Sequence, residues 1–328
     1  MMRQNIVRCQ WCGAEGALSD FEFDHTHKNG FWCPDCDGHT YLCDEENAKR
    51  RILLLLERKE SPLDAGKFHY RLKKRLSPLR YPGGKSKIAE YLAAQFRLDQ
   101  METFAEAFAG GASVGLALLD AGLILRLLLN DADKSVAAFW RQITENPESI
   151  YRRLDESPPT AEDFYAAKLT LDKPQDYSQE DLAWSLLIAN RLSFSGITKA
   201  CILGGKNGTD AQRLARWNPK SIKKRISQIY AMRNRISVFC EDAADFIEST
   251  YWDNQTTLFI DPPYVKQGAK LYRKFFYEND HKHLANTIES LYRSFPGADI
   301  VLTYDDCAFI RELYPDAEIK TIERKYSI

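Results

Sequence analysis

Four residues at the end of a predicted buried strand have the types needed to act on an amino group. Residues 256–260 read Thr-Thr-Leu-Phe-Ile, and they are followed directly by Asp261, Pro262, Pro263 and Tyr264. Prolines fix the backbone torsion φ and donate no hydrogen bond, so this loop is stiff. Ligands of open α/β sheets lie at the carboxyl ends of the strands. We therefore expect a carboxylate, a carbonyl and an aromatic ring to be held together at a binding edge.

This set of groups suits methyl transfer to the exocyclic amino group of a base. The lone pair of such a group is delocalised into the ring, which makes the nitrogen a poor nucleophile. Asp261 and the Pro262 carbonyl can accept its two N–H groups, and stacking of the base on Tyr264 is worth ~1–3 kcal/mol. The nitrogen can then attack a methyl group held in line with it. The alternative is a Pro-Pro turn after a core strand, with Asp261 as a cap.

Two glycine-containing segments upstream could hold a cofactor. Residues 79–85 read Leu-Arg-Tyr-Pro-Gly-Gly-Lys and precede a predicted helix at 86–96. Residues 103–113 predict a strand, a glycine-rich turn and a helix start, whose N–H groups can face a ligand. A second apolar strand, 123–129, is followed by Asp131, and an acid in this place commonly binds ribose hydroxyls. Asp133 is the nearby alternative, either as that ligand or as a helix cap.

In type and order, these motifs resemble those of the Dam-like family of DNA adenine-N6 methyltransferases, which use S-adenosylmethionine. The resemblance covers about residues 77–328, with Tyr81 where other members carry Trp. It implies that the catalytic residues are Asp261, Pro262, Pro263 and Tyr264. It also implies a cofactor site made of Tyr81, Gly83, Lys85, Glu106, Phe108, Gly110, Asp131, Asp242 and Asp261.

A basic segment predicts where DNA binds, although the net charge of the whole chain is only −1. Between residues 190 and 235 there are eleven Lys and Arg residues and a single acid, Asp210. Such a local excess of positive charge is typical of phosphate binding. The family's target-recognition region occupies this part of the chain, and a merely solvated basic face is the alternative. The residues expected to contact DNA are Asn190, Arg191, Lys199 and Arg216.

Two pairs of cysteines near the amino terminus have the spacing of a zinc site. Cys9 and Cys12 form one CxxC pair, and Cys33 and Cys36 form a second, after twenty intervening residues. Four thiolates complete a tetrahedral shell and would tie two turns together in a segment too short for a large core. Residues 1–45 are therefore predicted to be a zinc ribbon, with free thiols in a flexible leader as the alternative.

The remaining chain predicts a linker and one large α/β domain. Residues 46–76 have a helical composition and a basic end, which indicates a solvated linker helix, with a strap that contacts phosphates as the alternative. The methyltransferase domain is predicted to span 77–328. Alternating strands and helices predict a mostly parallel, doubly wound, Rossmann-like sheet, with the target-recognition region inserted at about 145–235. The family fold normally adds one antiparallel strand between its last two. No residues after 322 can form it, so we expect a gap near the sheet edge.

The predicted activity is site-specific transfer of a methyl group from S-adenosylmethionine to adenine N6 in duplex DNA. A monomer is expected, with a restriction endonuclease as a candidate partner. No stretch of about 18 apolar residues is present, and the amino terminus lacks an apolar signal core, which predicts a cytoplasmic location. The alternatives are a non-catalytic DNA-binding protein on the same scaffold, an RNA adenine methyltransferase or a cytosine-N4 methyltransferase. The aspartate, in place of serine, at the head of the Asp-Pro-Pro-Tyr motif argues against cytosine.

Overall fold

The structure, a computed structural model, begins with short strands in two small antiparallel sheets. It describes residues 6–8, 15–17, 22–23, 30–32, 39–41, 52–58, 72, 76–81, 83–98, 102–253, 255–266, 268, 273–294 and 299–323. The first sheet contains β1 (Ile6–Arg8) and β2 (Glu15–Ala17), and the second contains β3 (Glu22–Phe23), β4 (Gly30–Trp32) and β5 (His39–Tyr41).

The zinc site predicted near the amino terminus is not tested by these strands. Its ligands Cys9, Cys12, Cys33 and Cys36 lie outside the described residues. Within the ranges given above, no group of three or more His, Cys, Asp or Glu side chains could hold a metal ion. Zinc binding therefore stays a prediction from the spacing of the two cysteine pairs.

A seven-stranded sheet forms the centre of the domain. Its strands are β6 (Ile52–Arg58), β7 (Thr103–Glu106), β8 (Arg126–Asn130), β9 (Ile236–Phe239), β10 (Thr256–Ile260), β11 (Asp299–Asp305) and β12 (Glu318–Glu323). They lie in the order β12-β6-β11-β10-β7-β8-β9, and every neighbouring pair is parallel. Parallel neighbours need long crossover connections, which helices supply here. The predicted α/β, doubly wound fold is confirmed.

The strand β6 corrects two expectations. The helix predicted over the linker is wrong for residues 52–58, which form a strand. The gap expected between the last two strands is also wrong, because β6 lies between β11 and β12 and runs parallel to both. Residues 52–56 are all apolar and at most 4% exposed. A strand in the middle of a parallel sheet is covered on both faces, which explains why its apolar run is continuous.

Helices cover both faces of the sheet. The described α-helices are α1 (Ala89–Ala93), α2 (Ser113–Asp120), α3 (Lys134–Glu145), α4 (Glu148–Asp155), α5 (Ala161–Asp172), α6 (Gln179–Leu192), α7 (Asp210–Arg213), α8 (Pro219–Ala231), α9 (Ala243–Tyr251), α10 (Glu278–Ser294) and α11 (Ala308–Leu313). Leu53 packs in the core formed with α1, α2 and α3, whereas Leu54 packs in the core formed with α9, α10 and α11. Adjacent residues of a strand point to opposite faces, so β6 contributes to both cores. None of these helices is long and apolar enough to cross a membrane.

Helices α4–α8 lie between β8 and β9, in the part of the chain predicted to recognise the target. Polar residues start four of them: the side chains of Thr160, Ser178, Thr209 and Asn218 each accept a hydrogen bond from a backbone N–H in the first turn of the following helix. Such caps satisfy N–H groups that have no partner within the helix. Helix α6 packs against both α3 and α5, so it joins this insert to the sheet domain.

Candidate active site

The carboxyl ends of four adjacent strands bring four predicted site residues to one edge of the sheet. Glu106 ends β7, and Asp261 directly follows β10. Asp131 directly follows β8, and Asp242 lies three residues after β9. Because β10, β7, β8 and β9 are consecutive parallel neighbours, these acids gather at the edge where ligands of such sheets bind.

An ion pair joins the Asp-Pro-Pro-Tyr loop to the Gly-Gly-Lys loop. The Lys85 ammonium donates to both carboxylate oxygens of Asp261, at 2.7 and 2.6 Å, and to the Gly83 carbonyl at 3.2 Å. The lysine is buried, whereas the side chain of Asp261 is 22% exposed. The Lys85 nitrogen also lies 5.0 Å from the centre of the Tyr264 ring. Two motifs separated by 176 residues therefore form a single site.

The ring of Tyr264 rests on a buried aromatic layer. It lies 6.2 Å from the ring of Tyr304, with 30° between the two planes. The hydroxyl oxygen of Tyr304 lies 3.1 Å from the Nδ1 atom of His281, which is also buried. Burial lowers the pKa of His281 below its usual value, so the imidazole is neutral at pH 7. His281 therefore contacts Tyr304, which in turn packs against the Tyr264 ring of the site.

The loop after β7 is tightly packed around glycine. Gly110 has φ of 44°, and a Cβ atom there would lie 2.7 Å from the Tyr81 ring. Glu106 accepts a hydrogen bond from the Gly115 N–H at 2.6 Å, inside the first turns of α2. The ring of Phe108, two residues after β7, has its centre 5.5 Å from that of the Phe276 ring. The predicted cofactor residues of β7 and the Tyr81 loop thus line one region.

Two carboxyl groups beside this loop have strongly raised pKa values. Burial raises the pKa of Glu106 to about 8, and the nearby Asp261 charge acts in the same direction. Burial, together with the charge of Asp133, raises the pKa of Asp131 to about 7. Backbone N–H groups of Gly110 and Asp133 bond the two oxygens of Asp131, which only partly offsets the burial. Such perturbed acids on adjacent strands at one edge of the sheet are typical of a functional site.

A model of the D12 class N6 adenine-specific DNA methyltransferase family matches residues 81–328. The chain belongs to this family. The Type II methyltransferase M.CviBI of Paramecium bursaria Chlorella virus NC1A is similar to it, with 24% identity over 254 residues that cover 76% of this chain and 90% of the relative. The protein is therefore a DNA adenine methyltransferase that depends on S-adenosylmethionine. The matched range includes both loops of the site but excludes β6.

Asn130 is a residue of this methyltransferase that sequence reasoning missed. It is the buried last residue of β8, and its amide donates to the carbonyls of Ala107 and Glu241 at 3.2 and 3.3 Å. Its oxygen accepts from the Glu241 N–H at 3.0 Å. One amide group thus ties together the loops that follow three adjacent strands. The position just before Asp131 was its only sequence signal.

Asp242 has a clear local role in the methyltransferase. Its carboxylate accepts a hydrogen bond from the Ala244 N–H at 2.9 Å and caps α9. The residue is exposed at the edge of the sheet. The cap fixes the loop after β9, and the predicted contact with the cofactor's adenine ring stays a prediction.

Asn190, predicted to contact DNA, is instead buried beneath the loop of Tyr81. It is 1% exposed, and its amide pairs with the backbone of Arg80 by accepting from the N–H at 2.7 Å and donating to the carbonyl at 2.8 Å. It also donates to the Gly196 carbonyl at 3.0 Å. These three bonds use both N–H groups of the amide and hold the Arg80 backbone, and a DNA contact of Asn190 stays a prediction.

Arg191 is the second predicted DNA contact that the methyltransferase buries. Its guanidinium donates to the Pro78 carbonyl, and Arg225 of α8 donates to the Ser77 carbonyl at 2.8 Å. Together with Asn190, these side chains hold the backbone of the segment that leads into the Tyr81 loop. In this arrangement the buried guanidinium is bonded to the backbone and faces away from solvent, and a DNA contact of Arg191 stays a prediction.

The basic segment presents fewer cations to DNA than its composition indicates. Lys223 pairs with Asp155, and Arg235 donates to the Ile124 and Leu125 carbonyls. Of the other two predicted DNA contacts, Arg216 is half-buried and Lys199 is exposed, with its nitrogen 4.8 Å from the Phe275 ring centre. Charge counting could not separate these roles. Exposed lysines of the segment are Lys199, Lys206, Lys220 and Lys224.

Proposed function

We propose that this methyltransferase acts on an adenine turned out of duplex DNA, and that the Asp-Pro-Pro-Tyr loop holds its amino group. The observation that carries the proposal is the place of Asp261 at the end of β10, next to β7 and its glycine-rich loop. A base inside a duplex is stacked and paired, and enzymes that react with a base take it out of the stack. The partly exposed carboxylate of Asp261 is accessible to such a base.

The residues of the loop divide the work between them. When bound, S-adenosylmethionine supplies an electrophilic methyl group. Asp261 and the Pro262 carbonyl accept the two N–H groups of the target, which makes the nitrogen lone pair available. Pro263 stiffens the loop, and the Tyr264 ring offers a stacking face worth ~1–3 kcal/mol. The nitrogen bonds the methyl group as the bond between that group and the cofactor sulfur breaks, which releases a neutral thioether. The nitrogen, now positively charged, then loses a proton to the Asp261 carboxylate or to water, so a strong base is not needed, in agreement with the burial of His281.

The residues around the glycine-rich loop fit S-adenosylmethionine. This cofactor carries an ammonium group, a sulfonium group and ribose hydroxyls, and Glu106 and Asp131 place carboxylates beside the loop on adjacent strands. Gly110 lets the backbone of the loop pack directly against the Tyr81 ring, since a Cβ atom at this position would clash with that ring. The cofactor site proposed here consists of Tyr81, Gly83, Lys85, Glu106, Phe108, Gly110, Asp131, Asp242 and Asp261.

Cofactor affinity is expected to rise with pH. Because Glu106 has a pKa of about 8 and Asp131 a pKa of about 7, both carboxyls are largely protonated in the free enzyme below neutral pH. A cationic ligand favours their ionised forms, so binding at low pH must release protons and is weaker there. Calorimetry in buffers of different ionisation enthalpy should detect proton release near pH 6 and little release near pH 9.

The raised pKa values of Glu106 and Asp131 also make the stability of the protein depend on pH, which gives a second test. Their pKa values in the folded enzyme lie above the ordinary values of 4.5 and 3.8, so the folded state binds more protons than the unfolded chain. The contribution of these two groups to the free energy of unfolding should therefore fall as the pH rises from about 4 to about 8. Glu106→Gln should flatten both dependences, whereas Glu248→Gln, at an exposed position in α9, should change neither. Wild-type affinity that is constant with pH would refute the assignment.

Mapping of modified bases tests the proposed substrate. Because M.CviBI is a Type II methyltransferase, we infer that this chain also modifies a fixed site, with a restriction endonuclease as its partner. Expression in a host without DNA methylation should produce N6-methyladenine at one short recurring sequence. Methyl groups on cytosine, or on RNA alone, would contradict the proposal.

A further inference from the structure

The hydroxyl group of Thr303 contacts the carboxylate on which the proposed mechanism depends. Strands β10 and β11 are parallel neighbours with Ile260 opposite Leu302, so Asp261 and Thr303 lie side by side at the sheet edge. The Thr303 hydroxyl donates to Oδ1 of Asp261 at 2.5 Å. Thr303 is buried in β11, so its position is set by the sheet.

The two oxygens of Asp261 consequently have different surroundings. Oδ1 accepts from Thr303 and from Lys85, whereas Oδ2, among the described residues, accepts from Lys85 alone. A carboxylate has about four lone-pair positions, two on each oxygen. Two donors therefore fill Oδ1, and Oδ2 keeps a position for a substrate N–H. The difference is due to Thr303, because Lys85 contacts both oxygens.

The same strand also fixes the backbone after the loop. Asp305 lies two residues after Thr303, on the same side of β11. Its two oxygens accept hydrogen bonds from the N–H groups of Val265 and Lys266, at 3.1 and 3.2 Å. Strand β11 thus holds the Asp-Pro-Pro-Tyr loop at its first side chain and just beyond its last residue. With the backbone held, the remaining freedom of Asp261 is rotation of its side chain about χ1 and χ2.

We propose that Thr303 is a positioning residue for methyl transfer, which fixes that rotation so that Oδ2 meets the target amino group. The proposal rests on the role of Asp261 proposed above. Thr303 itself lies 42 residues further along the chain, on a different strand. Without its hydroxyl, only the contact with Lys85 restrains the carboxylate, which can then turn further about χ2. A displacement of about 1 Å at a reacting group can lower the rate ~100-fold.

Substitutions at two buried threonines test this role. We expect Thr303→Val to lower the single-turnover rate and kcat ~10- to 100-fold, while KM and the dissociation constants for S-adenosylmethionine and duplex DNA stay within about twofold. Thr303→Ser keeps the hydroxyl and should recover most of the rate. Thr257→Val is the matched control, because Thr257 is buried in β10 and its hydroxyl has no hydrogen-bond partner among the described residues.

The outcomes separate this proposal from the proposed function. A wild-type enzyme that transfers no methyl group to DNA would refute the function itself. An active wild type with Thr303→Val at full rate would overturn the positioning role alone. Equal losses in Thr303→Val and Thr257→Val would also overturn it, since they would reflect damage to the sheet. Melting curves identify any variant that fails to fold, and Thr303→Ala then provides a second test with the same expected loss of rate.

Discussion

Replacing Asp261 with asparagine will reduce methyl transfer to DNA by roughly 10²–10³-fold or more, the loss typical of removing one transition-state hydrogen-bond group. Asparagine keeps the size of the side chain but has one acceptor oxygen and an amide that donates. It cannot accept from Lys85, Thr303 and the target N–H at the same time. Transfer of a labelled methyl group to adenine, measured in a single turnover, checks this result.

A folding defect must be separated from the loss of chemistry in this variant. The buried ammonium of Lys85 loses its charge partner in Asp261→Asn, and an unpaired buried charge costs several kcal/mol. The double variant Lys85→Met with Asp261→Asn removes that charge, so it should melt at a higher temperature than Asp261→Asn and still be inactive. Asp245→Asn, at an exposed position in α9, should retain full activity. Normal activity in Asp261→Asn would favour a loop that only caps the strand.

A comparison of the wild type with Asp261→Asn also distinguishes an enzyme from a DNA-binding protein on the same scaffold. A non-catalytic protein would bind duplex DNA equally well with and without Asp261, and it would transfer no methyl group in either form. Family membership identifies the chain as a methyltransferase, and the intact loop agrees with this. A wild-type activity that Asp261→Asn removes, with DNA binding retained, would complete this distinction.

The motifs that meet at the candidate site could be recognised in the sequence, but the contacts between them could not be predicted. Asp261 and Lys85 stand in recognisable motifs, yet nothing local indicates that an ion pair joins them across 176 residues. Thr303 and Asn130 lack even a motif, because a single polar residue at a strand end is common. Their roles come from the parallel register, which places them beside the loops of neighbouring strands.

Burial explains the other differences between prediction and structure. Arg191 counts as a cation in the sequence, but its side chain is buried and its guanidinium donates to the Pro78 carbonyl inside the protein. Residues 52–56 form a short apolar run among charges, and such a run suits a buried strand and a helix equally well. Only the open place between β11 and β12 decides in favour of a strand. The sequence of a segment describes that segment alone, whereas the burial of Arg191 and the strand at residues 52–56 depend on the parts of the protein that pack against them.

Replacing Leu54 with aspartate will unfold the methyltransferase domain, although Leu54 lies outside the range that the family model matches. Leu54 is buried, and its neighbours in the sheet are Leu302 and Ile319. An unpaired carboxylate in such a place costs several kcal/mol, roughly as much as the ~5–15 kcal/mol that stabilise a domain. Circular dichroism during heating should show an early or missing transition, and methyl transfer should be lost.

Two further leucine variants make this expectation specific to β6. Leu54→Ile keeps the volume and should cost less than ~1.5 kcal/mol. Leu169→Asp makes the same chemical change at a position of α5 that is 67% exposed, and it should be tolerated. Among the described strands β12 pairs with β6 alone, so loss of β6 also releases β12 from the sheet. The expectation is wrong if Leu54→Asp has the melting temperature of the wild type and methylates DNA at the same rate. In that case the catalytic sheet would be stable without β6.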